Sequence, residues 1–155
     1  MRSTPGLGLL AALAQLSCSG PTDATPVSVH GSWVYSETLY SSSDRQTCAM
    51  SGTLAFVQQG SNIGGTYLRN VRCSSPSLAA ASRGESGPLG GGRVEDKAVR
   101  FEIGGCRYQG VLSTVRDFRR LSGTVLCTGI GAGGVQLGAS GAWQADELAP
   151  AGSAP

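Results

Sequence analysis

The residues able to do chemistry are few, and cysteine dominates them. Five cysteines lie at positions 18, 48, 73, 106 and 127 of a 155-residue chain. No two form a Cys-x-x-Cys pair and His30 is the only histidine, so the donor spacing of a zinc site is missing. His30 has no Ser-His-Asp context, and no Gly-x-Ser-x-Gly elbow occurs. Gly90-Gly91-Gly92 lacks the following Lys-Ser/Thr of a phosphate-binding loop and reads as a hinge. The expectation is a protein with no metal, no cofactor and no catalysis. A net charge of +2 gives no electrostatic footing for nucleic acid.

Spacing leaves three ways to pair four cysteines, but hairpin register chooses among them. Gln59-Gly60-Ser61-Asn62 has glycine first in a two-residue loop, the signature of a type II′ hairpin turn. Counting outward from Gly60-Ser61, Cys48 faces Cys73 at a non-hydrogen-bonded site. Cα atoms there are about 4.5 Å apart, within disulfide range. A second hairpin centred between Arg116 and Asp117 brings Cys106 opposite Cys127 in the same way. Each bridge is worth about 3 kcal/mol by the chain-entropy model. Cys18 is left over.

Eight strand-like segments must position these residues: 32–39, 48–58, 63–73, 92–95, 98–103, 106–114, 120–128 and 135–144. Glycine is abundant (24 residues) and no helix-forming run is present. Residues 74–91, rich in Ser, Ala, Gly and Pro, read as a long irregular loop, a possible lid or contact surface. The implied registers set Val94 against Val99, Phe101 against Tyr108, Leu112 against Leu121 and Tyr108 against Val125. All fall on the face of Cys106 and Cys127, and a one-residue slip would turn them over. The expected fold is all-β, an eight-stranded antiparallel up-and-down β-barrel, a meander with two cross-strand disulfides, closed so that no edge is exposed.

Trp33 and Trp143 are expected on neighbouring strands, packing one end of the barrel. Glu37 shares the inward face of Trp33 and Tyr35, and Arg69 that of Tyr67 and Val71. Inward charges in so small a core need partners. They can pair with each other, reach solvent at an open mouth, or meet a polar ligand. Glu37, Tyr67, Arg69 and Tyr108 are therefore the candidate ligand contacts. Arg116, Arg119 and Arg120 cluster at a hairpin tip, read as solvated, with anionic lipid or a protein partner as the alternative.

The N-terminus carries Arg2, an apolar run Leu7–Leu16 too short to span a bilayer, and then Ser17-Cys18. This layout resembles bacterial lipoprotein signal sequences. The resemblance implies loss of residues 1–17, acylation of Cys18 with palmitate-type chains, and a lipid anchor in the bacterial cell envelope. The outer membrane is favoured, with the protein facing periplasm or exterior. A cut after Ala12-Leu13-Ala14 is the rival and implies a secreted, non-lipidated protein. Residues 18–30 then form a flexible tether, 31–144 the barrel and 145–155 a disordered tail.

The segments Gly31-Ser-Trp33, Ser51-Gly-Thr-Leu54, Gly64-Gly-Thr-Tyr67, Ser122-Gly-Thr-Val125 and Ser140-Gly-Ala-Trp143 resemble the punctuation of avidin-like and lipocalin-like (calycin-type) barrels. That resemblance carries over no ligand motif. Two non-enzymatic roles stay open: a module holding a small molecule at the barrel mouth, and an envelope interaction protein. The second includes inhibition of a secreted hydrolase, since several bacterial lipoprotein inhibitors look like small disulfide-bonded barrels. The interior discriminates, because eight strands leave room either for side chains or for one small ligand. Large inward residues (Phe56, Tyr67, Phe101, Tyr108) and inward glycines (52, 65, 110, 123, 141) point both ways.

Overall fold

Alternation of buried and exposed residues governs the extended chain, as in β6, where Val99, Phe101 and Ile103 point in and Ala98, Arg100 and Glu102 point out. The computed structural model describes residues 27–42, 45–74, 83–128 and 138–149. Its strands are β1 (Gly31–Ser41), β2 (Gln46–Gln59), β3 (Asn62–Cys73), β4 (Arg83–Pro88), β5 (Gly90–Glu95), β6 (Ala98–Ile103), β7 (Cys106–Val115), β8 (Phe118–Cys127) and β9 (Ala139–Glu147). All pairings are antiparallel, and β9 returns to β1. Strands β4 and β5 both pair with β3 and form one stave broken at Leu89. The result is a closed eight-stave barrel in meander order.

Hairpin chemistry fixes the registers. Gly60 takes φ +60°, as a turn with glycine first requires. Cys48 pairs with Cys73 and Cys106 with Cys127, each with Cα atoms 4.0 Å apart. The expected apolar partners are also observed: Val94 with Val99, Phe101 with Tyr108, Leu112 with Leu121 and Tyr108 with Val125. Both disulfides lie at one rim, the end where β2 and β7 begin and β3 and β8 finish. Replacing both cysteines of either bridge by alanine should lower stability by about 3 kcal/mol in denaturant unfolding. A loss below about 1 kcal/mol would mean the bridge scarcely constrains the unfolded chain.

Three boundaries differ from expectation. Part of the expected loop 74–91 is strand β4, paired with Thr66–Val71. Its Gly-Glu-Ser-Gly-Pro composition conceals it, because propensity is a weak guide where packing decides. A Cβ at Gly87 would lie 3.1 Å from the Tyr67 ring, so the missing side chain makes room for that ring. At the C-terminus, β9 continues through Glu147, so residues 145–147 belong to the barrel and not to a tail. Ala145 is buried there, and Arg120 bonds Asp146 while Arg119 bonds Glu147. The start of the last expected strand, 135–137, lies outside the described residues.

The third difference is at the tether. Residues 27–30 are docked against the barrel end opposite the disulfide rim. Val29 is fully buried, its N–H donating to Gln58 Oε1 at 2.7 Å. Gln58 Nε2 donates to Val27 O at 3.1 Å, and Trp33 Nε1 to Val29 O at 3.0 Å. Arg119 donates to Ser28 O and packs its guanidinium over the Trp33 ring. Val29 and Trp33 thus stopper that end.

Candidate functional site

Inward positions on four staves deliver the polar residues of the interior. Glu37 comes from β1, Arg69 from β3, Glu85 from β4 and Tyr108 from β7, joined by Tyr35 on β1. Strand alternation turns Arg69 inward, and its cross-strand neighbour is Gly52, where the two backbones approach closely. A Cβ there would stand 2.7 Å from Arg69 Cα. The guanidinium donates from Nε and Nη2 to Glu85 Oε2 at 3.0 and 2.9 Å, and from Nη1 to the Tyr108 hydroxyl at 3.3 Å. Tyr108 in turn donates to Glu37 Oε2 at 2.7 Å, and Tyr35 donates to the same oxygen at 3.3 Å. Arg69 also sits 5.3 Å over the Tyr67 ring.

The sequence-predicted set is therefore brought together. Glu37, Arg69 and Tyr108 share one network, and Tyr67 packs under the guanidinium. Sequence reasoning missed Glu85, hidden in the glycine-rich stretch taken as a loop. Tyr35 was placed on the right face but not in the site. Its spacing of two residues from Glu37 was the available signal.

Burial sets the electrostatics. It raises the Glu37 pKa above the ordinary carboxylate value, against the hydrogen bonds from Tyr108 and Tyr35 and the charge of Arg69. Burial likewise raises both phenols, with the Glu37 charge adding to it. For Arg69 burial works downward; the neighbouring phenols and Glu85 more than offset it, and the guanidinium stays charged. Two carboxyls thus face one guanidinium. Glu37 Oε1 is buried with no hydrogen-bond partner among the described residues.

Aromatic side chains pack beside this network. Phe101 stacks on Tyr108 with ring centroids 4.8 Å apart, and Trp143 meets both edge-on at 5.2 and 5.8 Å. Phe56 joins Phe101 at 5.3 Å and Trp33 at 6.4 Å. Large residues face small ones: Trp143 is opposite Gly123, and a Cβ on Gly110 would meet the Trp143 indole at 2.7 Å. Trp33 and Trp143 do stand on neighbouring strands, but they do not share one end. Trp143 is level with Glu37 at mid-barrel, while Trp33 lies opposite Glu147 at the stoppered end.

The arrangement can lock four staves together. The two hydroxyls beside the Glu37 carboxylate, those of Tyr35 and Tyr108, already give their protons to it, and Tyr108 also accepts one from Arg69, so neither is poised to attack a substrate. Of the hairpin-tip arginines, Arg120 is committed to Asp146 at 2.6 and 2.8 Å and Arg119 to Glu147 at 2.9 Å. The bond from Arg120 holds the Asp146 carboxyl below its usual range. The expected arginine cluster is thereby reduced to Arg116. The lipidation candidate Cys18 lies outside the described residues.

Two concavities lie on the outer wall. One, of about 800 Å³, crosses β3, β2, β1, β9 and β8 over Ser36, Ser51 and Ser122. Another lies over Ala55, Leu68 and Pro88. Comparison with protein-family models, curated proteins and solved structures finds no match.

Proposed function

We propose that the mature protein is a non-enzymatic, lipid-anchored protein of the bacterial cell envelope that works through the outside of its barrel. The observation that carries this reading is the mutual bonding of the buried polar side chains. The side chains that could greet a polar ligand (Glu37, Arg69, Tyr108) bond one another, and rings fill the space beside them. A ligand entering there would have to displace charge-assisted hydrogen bonds it could not easily replace. Partners are therefore met on the outer wall. The two disulfides support an oxidising compartment.

The docked strap favours one orientation. Residues 27–30 are held at the end opposite the disulfide rim. An anchor at Cys18 is nine residues upstream, a reach of at most about 30 Å. The stoppered end would face the membrane and the disulfide rim would point away.

Intact-mass analysis and membrane fractionation test the anchor. The expected outcome is an acylated N-terminus at Cys18 and release of Cys18→Ala from the membrane fraction. An N-terminus at Gln15 or an unprocessed Met1 would remove the anchor. Native mass spectrometry tests the outer-wall reading. A small molecule co-purifying at one per barrel, and lost in Arg69→Met, would overturn it.

A further inference from the structure

We infer that the furrow across β3, β2, β1, β9 and β8 binds an uncharged polysaccharide chain, an inference that rests on the outer-wall reading above. The registers lay Asn70, Ser51, Ser36, Gln144 and Ser122 side by side in one cross-strand row. All five are exposed. The adjacent row supplies Ala49, Thr38 and Ala142, so the floor is made of small side chains. Half-exposed large residues border it, Tyr40 and Leu126 on one side and Val34 and Leu68 on the other. Five strands at about 4.8 Å spacing make the furrow about 19 Å long.

The chemistry of the lining selects the ligand. Glu37 and Arg72 are the charged residues of its lining; Glu37 is buried and bonded inward to Tyr108, which leaves Arg72, at one end, as the exposed charge. Arg93, Glu95, Arg100, Glu102 and Arg107 are instead exposed on β5, β6 and β7, on the opposite wall. An ionic polymer would find more to bind there than in the furrow. A peptide laid across the furrow would find no free main-chain partners, because the strands beneath it are paired on both sides. Serine and threonine hydroxyls both donate and accept, as sugar hydroxyls do, and the Asn70 and Gln144 amides offer both functions to hydroxyl or acetamido groups. Tyr40, half-exposed one row beyond the floor, offers a ring for the apolar face of a pyranose. The furrow is open and shallow, so one sugar would meet only a few of these groups. Affinity must accumulate along a chain.

Co-sedimentation of the full mature protein with insoluble cellulose and chitin tests the site. Protein-free peptidoglycan sacculi add an envelope source of acetamido-sugar chains, which carry charged peptide stems whose ionic attraction high salt screens. We expect saturable retention on at least one of them that persists at high salt. Ser36→Arg combined with Gln144→Arg should weaken it about tenfold or more by filling the floor with bulk and charge. Ala98→Arg on the opposite wall should leave it unchanged, and thermal midpoints should match for all variants. Should the double variant fail to fold, Tyr40→Ala should still weaken retention about threefold or more. Absence of retention on all three polymers, or retention that the floor and Tyr40 variants leave intact, would overturn the inference. Retention only on sacculi that keep their proteins would also overturn it, in favour of a protein partner. None of these results bears on whether the interior carries a ligand, which native mass spectrometry decides separately.

Discussion

Replacing Arg69 by methionine is expected to destabilise the barrel by about 3–5 kcal/mol, the usual cost of breaking a buried ion pair by removing one partner. The side chain is 2% exposed and Glu85 8% exposed, so water cannot readily take over. Methionine fills much of the space but strips Glu85 Oε2 of two charge-assisted bonds and Tyr108 of one. Glu37 then loses the one positive charge that opposes its desolvation, and its pKa rises further. Removing the carboxylate as well should recover much of the loss. An apolar pair at a buried ion-pair site is often neutral or stabilising. Arg69→Met with Glu85→Leu should therefore be more stable than Arg69→Met alone. Urea unfolding of wild type, both single variants and the double variant measures this coupling directly. A single variant as stable as wild type would show that the network does not hold the staves together. The interior would then have to be hydrated or ligand-filled, and the outer-wall reading would fall with it.

How much of this was legible in the sequence depends on how local the determining physics is. The disulfides were legible because a tight turn fixes a register, and a register fixes which cysteine faces which. The apolar pairs from Val94 to Val125 followed by the same counting. Strand β4 was not legible. Gly84, Gly87 and Pro88 carry loop propensities, and their pairing with β3 reflects the space Tyr67 needs. With β4 hidden, Arg69 lost its nearest partner, and Glu37, solvent and a ligand remained as alternatives. The structure assigns Glu85 directly and Glu37 through Tyr108. The ends were misjudged for a related reason. Asp146 and Glu147 look like a polar tail until Arg120 and Arg119 are placed across from them. Val29 looks like part of a linker until Gln58 and Trp33 enclose it. In each case the deciding partner is distant in sequence.

The barrel is also expected to lose stability steeply in alkali, because Tyr35 and Tyr108 are buried and their pKa values are pushed above the ordinary 10.0. The folded state holds both phenolic protons at a pH where the unfolded chain releases them. Their contribution is fully present below the unfolded value of 10.0 and is lost as pH rises above it. Each tyrosine contributes a slope of about 1.4 kcal/mol per pH unit, so the pair gives about 2.7 kcal/mol per unit. Glu37 acts in the same sense lower on the scale. Its raised pKa makes its contribution greatest at acid pH, and that contribution is lost as pH rises above the ordinary carboxylate value of 4.5. Denaturant unfolding between about pH 9 and pH 11 should show the alkaline slope. The tyrosinate absorbance of these two residues should appear with the loss of β structure, not before it. Tyr35→Phe should remove about half the slope. Tyr108→Phe should do the same from a baseline lower by about 1–3 kcal/mol, because Glu37 and Arg69 each lose a partner. Stability that stays flat across that range would mean that both phenols ionise inside the folded barrel. That would require water to reach them, and with it a path into an interior that Phe101, Trp143 and Arg69 otherwise close.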